Sequence, residues 1–144
     1  MSCLNVADDG VATLPDFPAL RELMPMDIPD AGYRHIGKCS QLEILTLMYC
    51  RDTTDAATEH ITGLNKLSSY FNSYTTITDR TPQLLSTMES LEKVVLEACN
   101  NVTNVGVASL ARLPKLRELR VSGRSLTREV AAPFPPRVTV RYAP

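Results

Sequence analysis

The sequence has almost no net charge, since its 15 lysine and arginine residues are balanced by 16 aspartate and glutamate residues. Proteins that bind nucleic acids or membrane surfaces usually carry an excess of basic residues. We therefore expect neither a nucleic acid nor a membrane as partner, although the balance leaves room for a small basic patch. A length of 144 residues and a hydrophobic content of 44 % predict one soluble domain with a continuous core.

Long apolar runs are also missing. No segment approaches the roughly 20 apolar residues that span a bilayer. The first ten residues, MSCLNVADDG, lack the charged and apolar regions of a secretory signal. These absences predict a cytoplasmic protein.

The four cysteines, Cys3, Cys39, Cys50 and Cys99, include no CxxC pair. They would suffice for two disulfides or one metal site. However, Cys50 and Cys99 occupy the same position of a sequence repeat and should lie about two rungs apart. An unpaired cysteine behaves as a small hydrophobic residue, so we predict buried free thiols.

Recognisable catalytic patterns are absent. The sequence shows no Ser/Cys-His-acid cluster, no glycine loop for phosphates and no zinc spacing. His35 and His60, 25 residues apart, should lie on adjacent helices, where they would form a metal or acid-base pair or simply two polar helix-face residues. Equivalent positions elsewhere hold Thr13, Leu84 and Ser109, which favours the second interpretation. We expect a non-enzyme without metal or cofactor.

What the sequence does contain is a repeat. The stretch from Leu91 to Gly106, LEKVVLEACNNVTNVG, resembles the stretch from Leu42 to Asp55, LEILTLMYCRDTTD. The leucine that opens each copy recurs at spacings of 22, 25, 24 and 25 residues. The acidic or amide residue after each strand keeps a similar period. The opening leucines are Leu20, Leu42, Leu67, Leu91 and Leu116, and the later markers are Asp8, Asp30, Asp55, Asp79 and Asn104.

Each copy predicts a strand, a turn and a short helix. Val94 and Leu96 alternate with Lys93, Val95 and Glu97, as the two faces of a strand require. The threonine and the acidic or amide residue that follow are predicted to cap the next helix. The row of aspartates resembles a carboxylate ladder, but capping explains it without a metal.

The repeat is irregular in places. Pro25 should leave the second strand short or bulged. The register near Tyr70 and Phe71 leaves open which ring faces inward. We predict a single domain of about six repeats, with a degenerate first repeat at 1–19, regular repeats at 20–115 and degenerate last repeats at 116–144.

The pattern L-x-x-L-x-L-x-x-C-x-x-x-T-[DN] resembles the cysteine-containing subtype of leucine-rich repeats, found in the repeat domains of F-box proteins. The family pattern adds a glycine, matched by Gly10, Gly32 and Gly106 but absent after Asp55 and Asp79. The resemblance implies an α/β solenoid, a curved right-handed horseshoe fragment with a parallel sheet on the concave face and short helices on the convex face. Stacking of repeats is then obligatory, because no single repeat buries its own leucines.

The resemblance also implies a function. We expect a non-catalytic module that binds a protein partner on its concave strand face. The alternative is a substrate-recognition part of a ubiquitin ligase, although no F-box is visible before the first strand. Open solenoid ends would favour self-association.

The residues that the repeat leaves variable are the predicted partner-binding site. Apolar members, joined by Tyr49, should form an exposed strip beside charged residues. A shifted register would instead turn these side chains into the core. The predicted binding residues are Met24, Ile44, Thr46, Met48, Phe71, Lys93, Val95, Glu97, Glu118 and Arg120.

Overall fold

The computed structural model describes residues 2–4, 8–26 and 28–144, with side chains described at 10–25 and 28–144. Within these ranges, seven strands form one sheet in which every strand pairs in parallel with its neighbours in sequence. This order is the one that stacked repeats predict. The strands are β1 (Ser2–Leu4), β2 (Glu22–Met26), β3 (Ile44–Met48), β4 (Ser69–Ser73), β5 (Lys93–Glu97), β6 (Glu118–Ser122) and β7 (Thr139–Ala143).

Short helices return the chain from the end of one strand to the start of the next. Further single turns are 3₁₀ helices, and the last connection, which is rich in proline, has only such a turn. No helix in the described ranges is long and apolar enough to cross a membrane. The helices are α1 (Asp8–Val11), α2 (Tyr33–Ile36), α3 (Asp55–Glu59), α4 (Arg80–Leu85) and α5 (Asn104–Ala108), and the 3₁₀ turns are Leu14–Asp16, Asp30–Gly32, Ser109–Arg112 and Arg128–Ala131.

The core lies between the sheet and the helical connections. Val94 and Leu96 of β5 are buried against Val107 and Leu110, which come from the helical segment after that strand. Full burial of one such side chain contributes roughly 1.5 to 3 kcal/mol. The recurring leucines predicted to mark each repeat are fully buried from the third strand onward, at Leu42, Leu67, Leu91 and Leu116.

The predicted shortening at Pro25 is not seen in the strand itself, because β2 has five residues as β3 does, and only its ladder to β3 is short. The β2–β3 ladder has two residue pairs, Glu22 with Ile44 and Leu23 with Leu45, whereas β3–β4 has five. A proline has no N–H to donate to a ladder. Its carbonyl is still used, because the Cys50 thiol donates to it at 3.4 Å.

The structure settles the register of β4. Tyr70 is fully buried and Phe71 lies half-buried on the other face. Asn72 occupies a position that is Leu47 in β3 and Leu96 in β5, and it donates from Nδ2 to the Tyr70 hydroxyl at 2.8 Å. One rung therefore has a polar interior.

Hydrogen bonds connect this polar rung to the helical side. Hydrogen bonding from Asn72 and Thr58 partly opposes the effect of burial on the pKa of Tyr70. The Thr58 and Thr81 hydroxyls are 3.0 Å apart, and Thr81 donates to Asp55 Oδ1 at 2.7 Å. Burial raises the pKa of Tyr70, so the ring stays neutral and acts as a donor and an acceptor within the network.

The predicted free thiols are confirmed at three positions. Cys39, Cys50 and Cys99 are buried and unpaired, while the side chain of Cys3 lies outside the described residues. Cys99 donates to the Asn72 carbonyl at 3.5 Å, and burial raises the pKa of its thiol to about 11. Cys99 is therefore a packing residue rather than a nucleophile.

The aspartate row does not cap the helices that it precedes, contrary to the prediction. Thr54 and Thr103 cap α3 and α5 by accepting from Ala56 N and Val105 N. The preceding carboxylate instead reaches the threonine of the following rung. Asp79 accepts from Thr103 N at 2.6 Å and Thr103 Oγ1 at 2.7 Å. Equivalent bonds join Asp30 to Thr54, Asp55 to Thr78, and the Asn104 amide to Thr127.

One of these cross-rung bonds occupies the space beside Gly106. A Cβ at Gly106 would clash with Asp79 Oδ1, so a side chain there would displace the carboxylate. In another rung Thr81 occupies the corresponding position, and its hydroxyl becomes a third donor to Asp55. The missing glycine is thus replaced by a residue that joins the network.

Candidate functional site

The face of the sheet that points away from the core, here called the open face, is the one predicted to be concave. Parallel pairing aligns its side chains in three rows across β3 to β7. The first row is Ile44, Ser69, Lys93, Glu118 and Thr139; the middle row is Thr46, Phe71, Val95, Arg120 and Arg141; the third row is Met48, Ser73, Glu97, Ser122 and Ala143. Met24 extends the face on β2.

The first strands give the open face an apolar half. Met24, Ile44, Met48 and Phe71 are each half-buried, and Thr46 lies among them. Flexible methionine side chains adapt to the shape of a bound surface. These half-buried side chains lie on the open face, and their role as a partner-binding strip stays a prediction.

Val95 is the member of the predicted strip that the structure corrects. It points to the open face, since it pairs with Phe71 and Arg120 in the middle row, yet it is only 3 % exposed. The neighbouring rungs carry larger side chains that cover it. Val95 thus supports the face from below and offers little surface to a partner.

Charged residues on the later strands pair with one another. Lys93 Nζ lies 3.3 Å from Glu118 Oε2 and 5.4 Å from the centre of the Phe71 ring. Arg120 lies 3.6 Å from Glu97 and 3.7 Å from Glu118. Exposed pairs of this kind add little stability. They link the side chains of β5 and β6 across the open face.

Two exposed tyrosines at the ends of neighbouring strands form a feature that sequence reasoning missed. Tyr49 and Tyr74 follow β3 and β4 directly, and their rings stack with centroids 4.7 Å apart and planes 9° apart. They are 54 % and 53 % exposed. The signal was available, because the two residues are 25 positions apart and occupy the same place in successive repeats. Only Tyr49 was included in the predicted strip.

The backbone at both tyrosines is left-handed. Tyr49 has a φ of 56° and Tyr74 a φ of 58°, and Ala98 follows them at 53°. Non-glycine residues in this region carry roughly 1–2 kcal/mol of strain. Each N–H still continues the ladder, with Tyr49 donating to Ser73 O and Tyr74 to Glu97 O, both at 3.0 Å. The ladder therefore holds the aromatic pair in place.

The two histidines do not build a recognisable metal centre. His35 lies in α2, and His60 directly follows α3 as its C-cap residue. Among the described side chains, no group of three or more histidine, cysteine, aspartate or glutamate residues is arranged to hold a metal ion. The expectation that the protein is a non-enzyme without cofactor stays a prediction.

No family model matches the chain. Among solved structures, the tropomodulin C-terminal domain from Caenorhabditis elegans is similar, with a TM-score of 0.63, 11 % sequence identity and 89 % of each chain covered. At this identity the likeness shows the fold alone. The fold is of the leucine-rich-repeat type, as predicted, with parallel strands in one open sheet and short helices. The cysteine-containing subtype, the number of repeats and the domain boundaries stay predictions.

Proposed function

We propose that the protein is a non-catalytic interaction module whose open face binds a protein partner. The observation that carries this proposal is the stacked Tyr49–Tyr74 pair, which is exposed although its backbone is strained. Glycine would fill both positions without strain. Tyrosine there is therefore better explained by a role in binding than by a role in folding.

The tyrosine pair has the properties of a binding hot spot. Tyrosine presents a large rigid surface together with a hydroxyl, and it is enriched among residues that dominate binding energy. Stacking fixes the two rings before a partner arrives, which reduces the entropy lost on binding. The pair stands next to Met48 and Ser73, at the edge of the apolar half of the open face.

The two halves of the open face would make different contributions to binding. The apolar half supplies area that a partner can bury, through Met24, Ile44, Met48 and Phe71. The charged half, with Lys93, Glu97, Glu118 and Arg120, would set the orientation and choice of partner through electrostatic complementarity. A bound surface would thus be apolar near β3 and carry charges of both signs near β6.

Met48→Asp tests the use of the apolar half. Because Met48 is only half-buried on the open face, we expect folding to persist while retention of partners from a lysate of the source organism falls. Val95→Asp is not a suitable variant, since burial of that residue would combine a folding defect with any binding defect. Unchanged retention by a folded Met48→Asp protein would contradict the proposal.

A role in substrate recognition by a ubiquitin ligase is a narrower form of the same proposal. It requires that the partners captured by the open face include ligase subunits or their substrates. Capture of neither would exclude it and leave the interaction module intact. A cytoplasmic location and the absence of nucleic-acid and membrane partners are likewise proposals, and fractionation of the source cells tests the location.

A further inference from the structure

The total charge is close to zero, but acidic and basic residues are unevenly distributed along the chain. Residues 111–144 contain eight arginine and lysine residues against two glutamates, a net charge of +6, whereas residues 1–110 contain seven against fourteen acidic residues, a net charge of −7. In a solenoid, sequence order becomes spatial order. The molecule therefore has an acidic body and a basic end around β6 and β7.

Part of this basic end is concave. A cleft of about 520 Å³ lies at the edge of the sheet where the chain enters β6 and β7, and it is lined by Glu92, Pro114, Lys115, Arg117, Arg137 and Thr139. Three of these residues are cations and one is an acid, so the lining carries a net charge of +2. The cleft borders the open face, with which it shares Thr139, and its lining includes neither tyrosine of the stacked pair.

The cations of this cleft are available to a ligand. No carboxylate within the described part of the chain lies within 4 Å of the charged nitrogens of Lys115, Arg117 or Arg137. The Arg137 guanidinium is held by a hydrogen bond from Nη2 to Leu113 O at 3.1 Å. A backbone hydrogen bond joins the segments before β6 and β7 that line the cleft, because Thr139 N donates to Arg117 O at 2.8 Å.

We propose that this cleft binds the phosphate group of a phosphorylated protein segment. Guanidinium groups match phosphate oxygens with two parallel hydrogen bonds, and a lysine adds a mobile positive charge. The Thr139 hydroxyl is a further donor. A lining with a net charge of +2 suits a dianion, and the volume accommodates one phosphorylated side chain with its adjacent backbone.

An extended polyanion fits this surface less well. Nucleic acid and anionic membranes need a basic surface much larger than one cleft, and the acidic body of residues 1–110 would repel them beyond it. Single-stranded nucleic acid also requires exposed aromatic side chains for stacking. The large apolar side chains exposed in the described residues, Phe17, Tyr49, Tyr74 and Val105, all lie outside the cleft.

The test is a titration followed by two-dimensional ¹H–¹⁵N NMR at constant ionic strength. The probes are inorganic phosphate, sodium chloride, and the capped peptide Gly-Gly-Ser-Gly-Gly with and without a phosphate on serine. Arg117→Gln removes one charge from the cleft, and Arg124→Gln removes one exposed charge from the same end of the molecule outside it. Thermal unfolding of both variants checks that they are folded.

We expect saturable shifts at residues 113–118 and 137–139, with the phosphopeptide binding at least fivefold more tightly than inorganic phosphate. Arg117→Gln should weaken this binding at least fivefold and Arg124→Gln less than twofold. Equal effects of the two variants, or equal binding of the unphosphorylated peptide, would overturn the proposal. Stronger Arg117-dependent binding of polyuridine, or of phosphatidylcholine vesicles containing phosphatidylinositol phosphate, would overturn the choice of a protein segment.

Discussion

Ala98 has the same strained backbone conformation as Tyr49 and Tyr74, so it allows the strain to be measured separately from the aromatic stack. Its φ of 53° is left-handed, but it has no ring whose stacking offsets the strain. We expect Ala98→Gly to raise the free energy of unfolding by about 0.5–1 kcal/mol, because glycine adopts this conformation freely. The measurement is urea unfolding followed by circular dichroism.

Ala108 supplies the matched control for that substitution. It ends α5 with a helical φ of −57° and ψ of −27°. Ala108→Gly should therefore lower the free energy of unfolding by up to about 1 kcal/mol. If both substitutions destabilise equally, the left-handed backbone at position 98 is not a source of strain.

Asp55 is predicted to stabilise the fold through its cross-rung bonds. It accepts from Thr78 N at 2.9 Å, Thr78 Oγ1 at 2.6 Å and Thr81 Oγ1 at 2.7 Å. An asparagine has one acceptor oxygen where aspartate has two. Asp55→Asn should lower the free energy of unfolding by about 1–3 kcal/mol at pH 7. The exposed Asp52→Asn is the control and should change it by less than about 0.5 kcal/mol.

The same residue predicts a pH dependence. Partial burial opposes ionisation of Asp55, but the bonds from Thr78 and Thr81 outweigh it and hold its pKa below the usual value. The stabilisation is therefore complete above the unfolded pKa of about 3.9 and is lost as the pH falls toward the folded pKa. Wild type should lose more stability than Asp55→Asn when the pH falls from about 5 to about 3. A parallel decline would assign acid sensitivity to other groups.

The residue types of the aspartate row were predictable, but their bonds were not. Threonine followed by aspartate fits a helix cap and a cross-rung bond equally well, because both use a side-chain oxygen and a backbone N–H. The choice depends on the distance to the next rung, which sequence spacing does not contain. Burial of Val95 escaped prediction for a related reason, since it depends on the sizes of Phe71 and Arg120 in neighbouring strands.

At the scale of the strand, β4 is the exception among the inner rungs. Asn72 takes the place of a leucine, and Thr75 takes the place held by Cys50 and Cys99 in the flanking rungs. Asn72 donates to the Tyr70 hydroxyl at 2.8 Å, and its Oδ1 accepts from Thr75 Oγ1. The three side chains satisfy one another and should be replaceable only together.

This interdependence predicts that replacing Asn72 and Thr75 together costs less stability than replacing Asn72 alone. Asn72→Leu alone leaves the Thr75 hydroxyl buried without its acceptor and should lower the free energy of unfolding by about 1–3 kcal/mol. Adding Thr75→Cys removes this hydroxyl and gives positions 72 and 75 the leucine and cysteine of β3 and β5, while Tyr70 is kept, so it should recover about 1 kcal/mol or more. Urea unfolding of both proteins decides the point. A double variant less stable than Asn72→Leu would show that the polar rung does not act as a unit.

The sequence repeat predicts most of the strands, but it does not predict the structure at its irregular positions. The leucine spacing placed β3, β5 and β6 because alternation and period agreed there. Pro25 predicts a short or bulged strand, whereas β2 keeps five residues and only its ladder to β3 is short. At Tyr70 and Phe71 two aromatic residues fit either face, and only the hydrogen bonds of Asn72 decide the orientation.

At the scale of the molecule, the residues that hold the fold together differ from those proposed to bind partners. The buried leucines and the cross-rung bonds hold neighbouring rungs together, while the open face carries residues that the repeat does not require. The tyrosine pair and the basic cleft lie at different places on this scaffold. Losses of binding at the two sites should therefore be independent, as expected for distant residues with no shared partner.

The most direct test of the open face compares three proteins in one capture experiment. They are wild type, the double variant Tyr49→Gly with Tyr74→Gly, and Phe17→Ser, which removes an aromatic ring of similar exposure (51 %) elsewhere. Glycine relieves the strain as the stack is lost, so we expect the double variant to unfold within about 1 kcal/mol of wild type.

Isotope-labelled mass spectrometry of proteins captured from the source lysate then gives the answer. We predict at least one partner that wild type and Phe17→Ser retain equally and that the double variant loses about tenfold or more. If every captured protein is retained equally by all three folded proteins, the tyrosine pair is not a binding site, and the proposed function of the open face loses its main support.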